Sequence, residues 1–454
     1  MTDHIPGKDF YRRIVTLIKT MSLFRPTVFT KSENCPSEVP PTAGRRGTLS
    51  SEPPLSATLH EAIMDSVSSV RDSLPKEHRA HFETLRQEII DFTKTHGISR
   101  ESLGKPDLLR EATGKLSIPD LERLADLLER FEYLLKNGEP KKEDYTEALE
   151  YAEEFYHLRE QYDFQVSLLE QVGLLENGMI TGIDGHEYSI PTLEQIAIRL
   201  FERRSELFTK HDQGFTKLLL VPFGMSLDTL RETLKQFLLS HKKSHPSFDL
   251  DTNNPLWMRE DYQGADIGDS PKLVYYSQSF DPKDHQGKTK MEILEEQEDN
   301  QDSFPGWTVH LLQPSDPSDP HSPGFASIPR EGRGTPQGDL VARPPLEAGK
   351  TPSEYLSIFQ GAQGDKDSPY HGETGTTPED WITAFMIHLL ETGKPMDNWQ
   401  NDKESISYLI GAFFHSTVTV PRACWGRSAH HVSLGVDVPW RQTGGFGSRF
   451  SVMI

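Results

Sequence analysis

Cysteine is almost missing from this chain: Cys35 and Cys424 are the two in 454 residues. They lie far apart, and Cys35 sits in a polar, proline-rich stretch, so neither a disulfide framework nor a cysteine-based zinc site is indicated. Long apolar runs are missing too. The N-terminal "DFYRRIVTLIKTMSLF" is cut by Thr16 and Lys19 and no small-residue cleavage site follows it, so no secretory signal is expected there, only a short helix docked on the protein. No other segment approaches the length of a membrane span, and a cytoplasmic location is the default expectation. Positive charge is in deficit: 48 Lys and Arg stand against 69 Asp and Glu, a formal charge of −21. Such a surface repels nucleic acid and anionic lipid, which excludes a general nucleic-acid binder.

What is there reads as an α+β protein. Residues 1–55 form a flexible N-terminal arm, because the Pro, Ser, Thr and Gly of 25–55 carry no apolar periodicity. Residues 56–175 read as a helical bundle or coiled-coil hairpin. Phe82, Leu85, Ile89 and Phe92 share one helical face that Gly97 ends. "SIPD" caps a second helix with Leu121, Leu124, Leu128, Phe131 and Leu135 inward, and a third is predicted from Lys142 to Val172 with Tyr145, Leu149, Ala152, Phe155, Tyr162, Val166 and Leu169 inward. These helices would serve as a spacer or as a homo-oligomerisation element.

Residues 176–315 read as a mixed α+β domain. It opens with a hairpin turned at Asp184-Gly185, then the helix "TLEQIAIRLFERRSELF", the strand "KLLLVPFG", a helix starting near Ser226, and the strands "KLVYYSQSF" and "GWTVHLLQP". Residues 316–350 read as a linker or long loops. Residues 351–454 form a Trp-rich α+β domain opened by "TPSEYLSIFQG" and "TPEDWITAFMIHLLETG", two helices with Thr as cap and Pro at the first helical position.

Several candidate chemistries fail on spacing. "EAGKT" at 347–351 ends like a phosphate loop, but Pro344 stands where its first glycine belongs. Asp249, Asp251, Asn253 and Glu260 follow the order of a calcium loop, yet Asn254 replaces the turn glycine and Pro255 follows, so a polar surface turn is expected. His241 and His245 have metal-binding spacing, but Lys242 and Lys243 lie between them and favour a basic helix end. His388, on an apolar face with Trp381 and Phe385, reads as a core histidine, and Cys424 as a small buried hydrophobe rather than a reactive thiol. A strand would put Ser433 and Asp437 on one face and His430 on the other, against a triad. No catalytic residue, metal or cofactor is expected.

The C-terminal stretch "PRACWGRSAHHVSLGVDVPWRQTGGFGSRFSVMI" is dense in Trp, His, Arg and Ser, the side chains of binding loops, and closes on a glycine turn into an alternating strand. With "TPEDWITAFMIHL" before it and "GFGSRFSV" at its end, it resembles the C-type-lectin-like fold of the formylglycine-generating-enzyme type, in particular the target proteins of diversity-generating retroelements. The oxidases of that fold use a cysteine pair, and this region has Cys424 alone, so their catalysis is not implied. The resemblance implies a display surface at Trp425, Arg427, Ser428, His430, His431, Ser433, Asp437, Trp440 and Arg441, engaging a protein or small ligand. A noncatalytic binding protein is thus the leading expectation. Its rivals are an enzyme whose polar groups converge between the middle and C-terminal domains, and a scaffold that binds through its helices.

Overall fold

Phe82, Leu85, Ile89 and Phe92 form the fully buried face of α1 (Arg79–Thr95), as their three- and four-residue spacing dictates. In the computed structural model the described residues are 71, 74, 75, 78–99, 116, 118–138, 140–300, 303–338, 342–399, 404–426 and 430–454. The expected N-terminal arm lies outside them. Gly97, at a φ of 64°, ends α1, and the Ile98 N–H returns to the Thr93 carbonyl at 2.8 Å. The helix packs on α2 (Ile118–Asn137) through a shared core of Leu124, Leu127, Leu128, Phe131 and Leu134, with the Phe82 and Phe131 rings stacked at 5.1 Å. Each such side chain contributes about 1.5–3 kcal/mol by leaving water. Residues 1–144 make up this first compact unit.

The second unit, residues 145–454, takes up the predicted third helix. That helix is two: α3 (Lys142–Tyr156) and α4 (Leu158–Gln171), broken at His157, whose φ is 49°. The break shifts the buried face to Ala148, Ala152, Tyr156, Leu158, Gln165, Leu168 and Leu169. The hairpin of β1 (Met179–Thr181) and β2 (Glu187–Ser189) turns at Asp184-Gly185 as expected. Next come α5 (Leu193–Glu202), with a Thr192/Gln195 capping box, and α6 (Arg204–Asp212). Then follow β3 (Lys217–Val221), α7 (Leu227–Ser244) capped by Ser226, β4 (Leu256–Met258) and β5 (Leu273–Tyr275). The acidic "MEILEEQEDNQD" contributes a helix, α8 (Lys290–Asp299), started by a Thr289/Glu292 capping box. The order continues with β6 (Thr308–Leu312), α9 (Pro352–Gln363), β7 (Glu373–Gly375), α10 (Pro378–Thr392), β8 (Ile406–Tyr408), β9 (Ala412–Phe414), β10 (Val420–Trp425), β11 (Val432–Asp437), β12 (Phe446–Ser448) and β13 (Phe450–Met453).

The sheets span the expected boundaries at 315 and 350. One four-stranded antiparallel sheet runs β3-β6-β13-β7, and a five-stranded sheet runs β12-β8-β10-β11-β4, so strands from the supposed middle and C-terminal domains pair with each other in both. A third pairing joins β5 to β9. The open edge of β3 is met by side chains of α4: Gln165 exchanges hydrogen bonds with Leu218 O (2.7 Å) and Leu220 N (2.8 Å), and Gln161 accepts from Leu218 N (2.8 Å). Two amides one helical turn apart thus replace a neighbouring strand and leave no edge for another chain to extend. α10 is buried over nearly its whole length, its polar Glu379, Asp380 and Thr383 included, and packs on α7, β3 and β10.

Candidate functional site

Alternation along β10 and β11 sorts the C-terminal side chains between two faces of the five-stranded sheet. Ala423 and Trp425 pair with Leu434 and Val432 and point into the core. Trp425 is 3% exposed, its ring 5.2 Å from Phe248 and 6.3 Å from Phe385. It is therefore a core residue, which corrects its expected place on a display surface. Cys424 is buried as well, and burial pushes its thiol up to about 12, which leaves it inert as a nucleophile at neutral pH.

The opposite face carries Arg422, Gly435 and Ser433, with Trp257 of the edge strand β4 beside Ser433 and 42% exposed. The Arg422 guanidinium lies 5.4 Å from the Phe446 ring and flat against Gly435, where a Cβ would come within 3.1 Å of it. A side chain at 435 would displace the arginine.

The display residues do not form one patch. His430 and His431 stand at the start of β11, where His430 meets Asp249 at 2.8 Å and His431 lies 3.5 Å from the Asn254 amide. Asp437, Trp440 and Arg441 stand at its other end, about 17 Å away along a six-residue strand. Arg427 and Ser428 lie outside the described residues. The supposed calcium ligands are engaged in turns, Asp251 accepting from Asn253 N, and Glu260 lies beyond β4. His241 and His245 stack on each other at the end of α7, and Lys242 caps nearby carbonyls of Pro246 and Phe248.

The loop from β11 to β12 is held at several points. Buried Asp437 pairs with Arg441 at 3.2 Å, Arg441 N donates to Val438 O, Ser353 N donates to Pro439 O at 3.1 Å, and the Gln442 amide donates to Gly349 O at 2.7 Å. From this fixed base Trp440 projects with 66% of its surface exposed, the most of any large apolar side chain among the described residues. Gln442 also borders an open groove of about 570 Å³ along the start of α9, lined by Glu331, Glu347, Lys350, Ser353 and Glu354. The rejected "EAGKT" phosphate loop supplies one wall of it. Backbone N–H groups of Gly332 (2.8 Å) and Gly334 (2.7 Å) hold the Glu347 carboxyl below its usual range, and the Thr351 N–H (2.7 Å) does the same for Glu354. Both remain carboxylates, so three acidic side chains face one lysine.

Charged groups also converge in the core. Lys290 is fully buried and donates to Asp266 (2.6 Å), Glu379 (2.8 Å) and Met225 O (2.7 Å), while Tyr275 donates to Glu379 at 2.6 Å. Glu373 takes a bidentate bond from Arg343 (2.8 and 2.7 Å) and a third from Lys210 (2.6 Å). Asp397 receives Arg449 at 2.6 Å and the Trp381 indole N–H at 2.8 Å, joining the "TPEDW" helix to the "GFGSR" strand. No sequence motif announces these clusters, since their members come from segments far apart in the chain. Compared with protein-family models, curated proteins and solved structures, the chain matches none.

Proposed function

We propose that this is a noncatalytic binding protein whose contact surface is the anchored β11–β12 loop with Trp440 at its centre and the acidic groove beside it. The observation that carries this reading is the exposure of Trp440 on a backbone fixed at its base. A large aromatic side chain on a backbone already held in place gives contact area with no loop-ordering cost on association, the property of binding hot spots. Three carboxylates against one ammonium in the groove favour a protein segment or small ligand that carries basic groups. The Lys290 cluster is closed to an outside substrate, because Lys290, Asp266 and Glu379 are each 0–2% exposed.

The test is a calorimetric screen of basic, aromatic-containing peptides against the wild type and Trp440→Ala. The expected result is at least one binder whose affinity drops about tenfold or more in the variant, the loss typical of a hot-spot aromatic. A screen without binders, or a variant that binds as well as the wild type, contradicts the reading.

A further inference from the structure

Lys290 opens α8 immediately after its Thr289 cap, and its ammonium stem runs into the core rather than into water. There its Nζ meets two carboxylates, Asp266 at 2.6 Å and Glu379 at 2.8 Å. The Phe223 ring lies 5.2 Å from the same nitrogen and the Tyr275 ring 5.7 Å, so the cluster is walled by aromatic surface. An amine, an acceptor carboxyl and a second carboxyl in contact with the amine, enclosed in apolar surroundings, are the parts an amide-forming reaction needs. We propose that Lys290 and Asp266 join in an intramolecular isopeptide bond, with Glu379 carrying the protons.

The two oxygens of Asp266 have different surroundings, which assigns their roles. Oδ2 accepts from Lys290 Nζ at 2.6 Å and from Leu227 N, the first residue of α7, at 2.9 Å, so once the amine has moved onto Cγ a backbone donor at a helix N-terminus remains to stabilise the negative charge on this oxygen. Oδ1 is buried with no hydrogen-bond partner, so its departure breaks no contact. Glu379 is set by Tyr275, which donates to the same Oε1 that receives Lys290.

Burial raises Glu379, with Lys290 opposing, and the Glu379 and Asp266 carboxylates together outweigh burial at Lys290 and hold its proton. The step starts with Glu379 protonated, so that the cluster holds an ammonium, a carboxylate and a neutral acid, with net charge zero. Passing one proton from Nζ to Oδ1 of Asp266 leaves an amine and two carboxylic acids, again net zero, and the amine is then free to attack. The amine lone pair attacks Cγ of Asp266 and the Nζ–Cγ bond forms. Glu379 gives its proton to Oδ1, which with the proton already passed from Nζ leaves as water as the Cγ–Oδ1 bond breaks, and Glu379 is restored by a second proton from nitrogen. No oxidation state changes and no co-reactant is required. The amide carbonyl keeps the Leu227 N–H. The new bond ties positions 24 residues apart and removes a buried ion pair whose desolvation is costly.

Intact-mass spectrometry of the denatured full chain tests this, because one lost water lowers the mass by about 18 Da from the sequence value. Digestion must also yield a branched peptide joining Lys290 to Asp266. Glu379→Gln should keep the full mass. Asp266→Asn should react by the same attack with loss of ammonia, about 17 Da. A wild-type chain at its sequence mass overturns the proposal, and so does a lost water without the branched peptide, which marks a succinimide elsewhere. Both readouts use the wild type, so they stand if a variant fails to fold.

Discussion

Trp425 and Trp440 lie in one short stretch of sequence, yet one is 3% exposed and the other 66%. Trp425 ends a strand whose neighbours on both sides are paired, and its ring meets α10 through Phe385. Trp440 follows the last pair of the same hairpin, on a loop tied down through backbone and salt-bridge contacts that leave the indole in solvent. The difference shows that density of binding-type residues in a sequence does not locate a surface. Strand parity and the point where pairing stops do.

Replacing each ring would sharpen that contrast. Trp425→Ala should destabilise the fold by about 3–5 kcal/mol, the cost of removing a large aromatic from a packed core. Trp440→Ala should change stability by less than about 0.5 kcal/mol. Denaturant unfolding of both variants checks this, and equal losses would break the comparison.

An effect of intermediate size concerns the helix on which Trp425 packs. His388 of α10 accepts the Phe325 N–H at 3.0 Å, and burial, with help from Arg449, Lys217 and Lys394, lowers its pKa from 6.5 to about 3. Between those values the unfolded chain takes up a proton that the folded chain refuses. Stability should therefore fall as the pH drops from about 6.5 toward about 3, and this group should have no effect above that window. His388→Gln, whose amide oxygen can still accept from Phe325, should flatten that part of a urea-midpoint curve measured against pH. An unchanged slope would show that His388 does not titrate this way.

Much of the local structure was legible. The Thr-Pro starts of α9 and α10 form the capping boxes their spacing predicts, Ser226 caps α7, Gly97 ends α1, and Asp184-Gly185 turns the hairpin. The α+β class follows from these elements. The break at His157 was not legible, because neither Gly nor Pro marks it and the left-handed residue is held by tertiary packing. Helix α8 was hidden by its acidic outer face, although its Thr289/Glu292 box was a readable signal. Domain boundaries were misread because the sheets pair distant segments, β4 with β11 and β6 with β13, and local periodicity carries no record of such partners.

At the candidate site, alternation alone would have placed Trp425 with Ala423 on the inward face, opposite Arg422 and Cys424. Trp440 and Arg441, which the resemblance implied as display residues, stand at the surface. The groove was not foreseen, since its walls come from 331–358 and from Gln442. The Lys290 cluster joins three segments, and only the fold brings them together.

Hydroxyl-radical footprinting with residue-level mass spectrometry tests the division between core and contact surface most directly. The account predicts rapid oxidation of Trp440 and slower oxidation of Trp257, with Trp425 and Trp381 protected until the chain unfolds. Oxidation of Trp425 at the rate of Trp440 in the folded protein would contradict it.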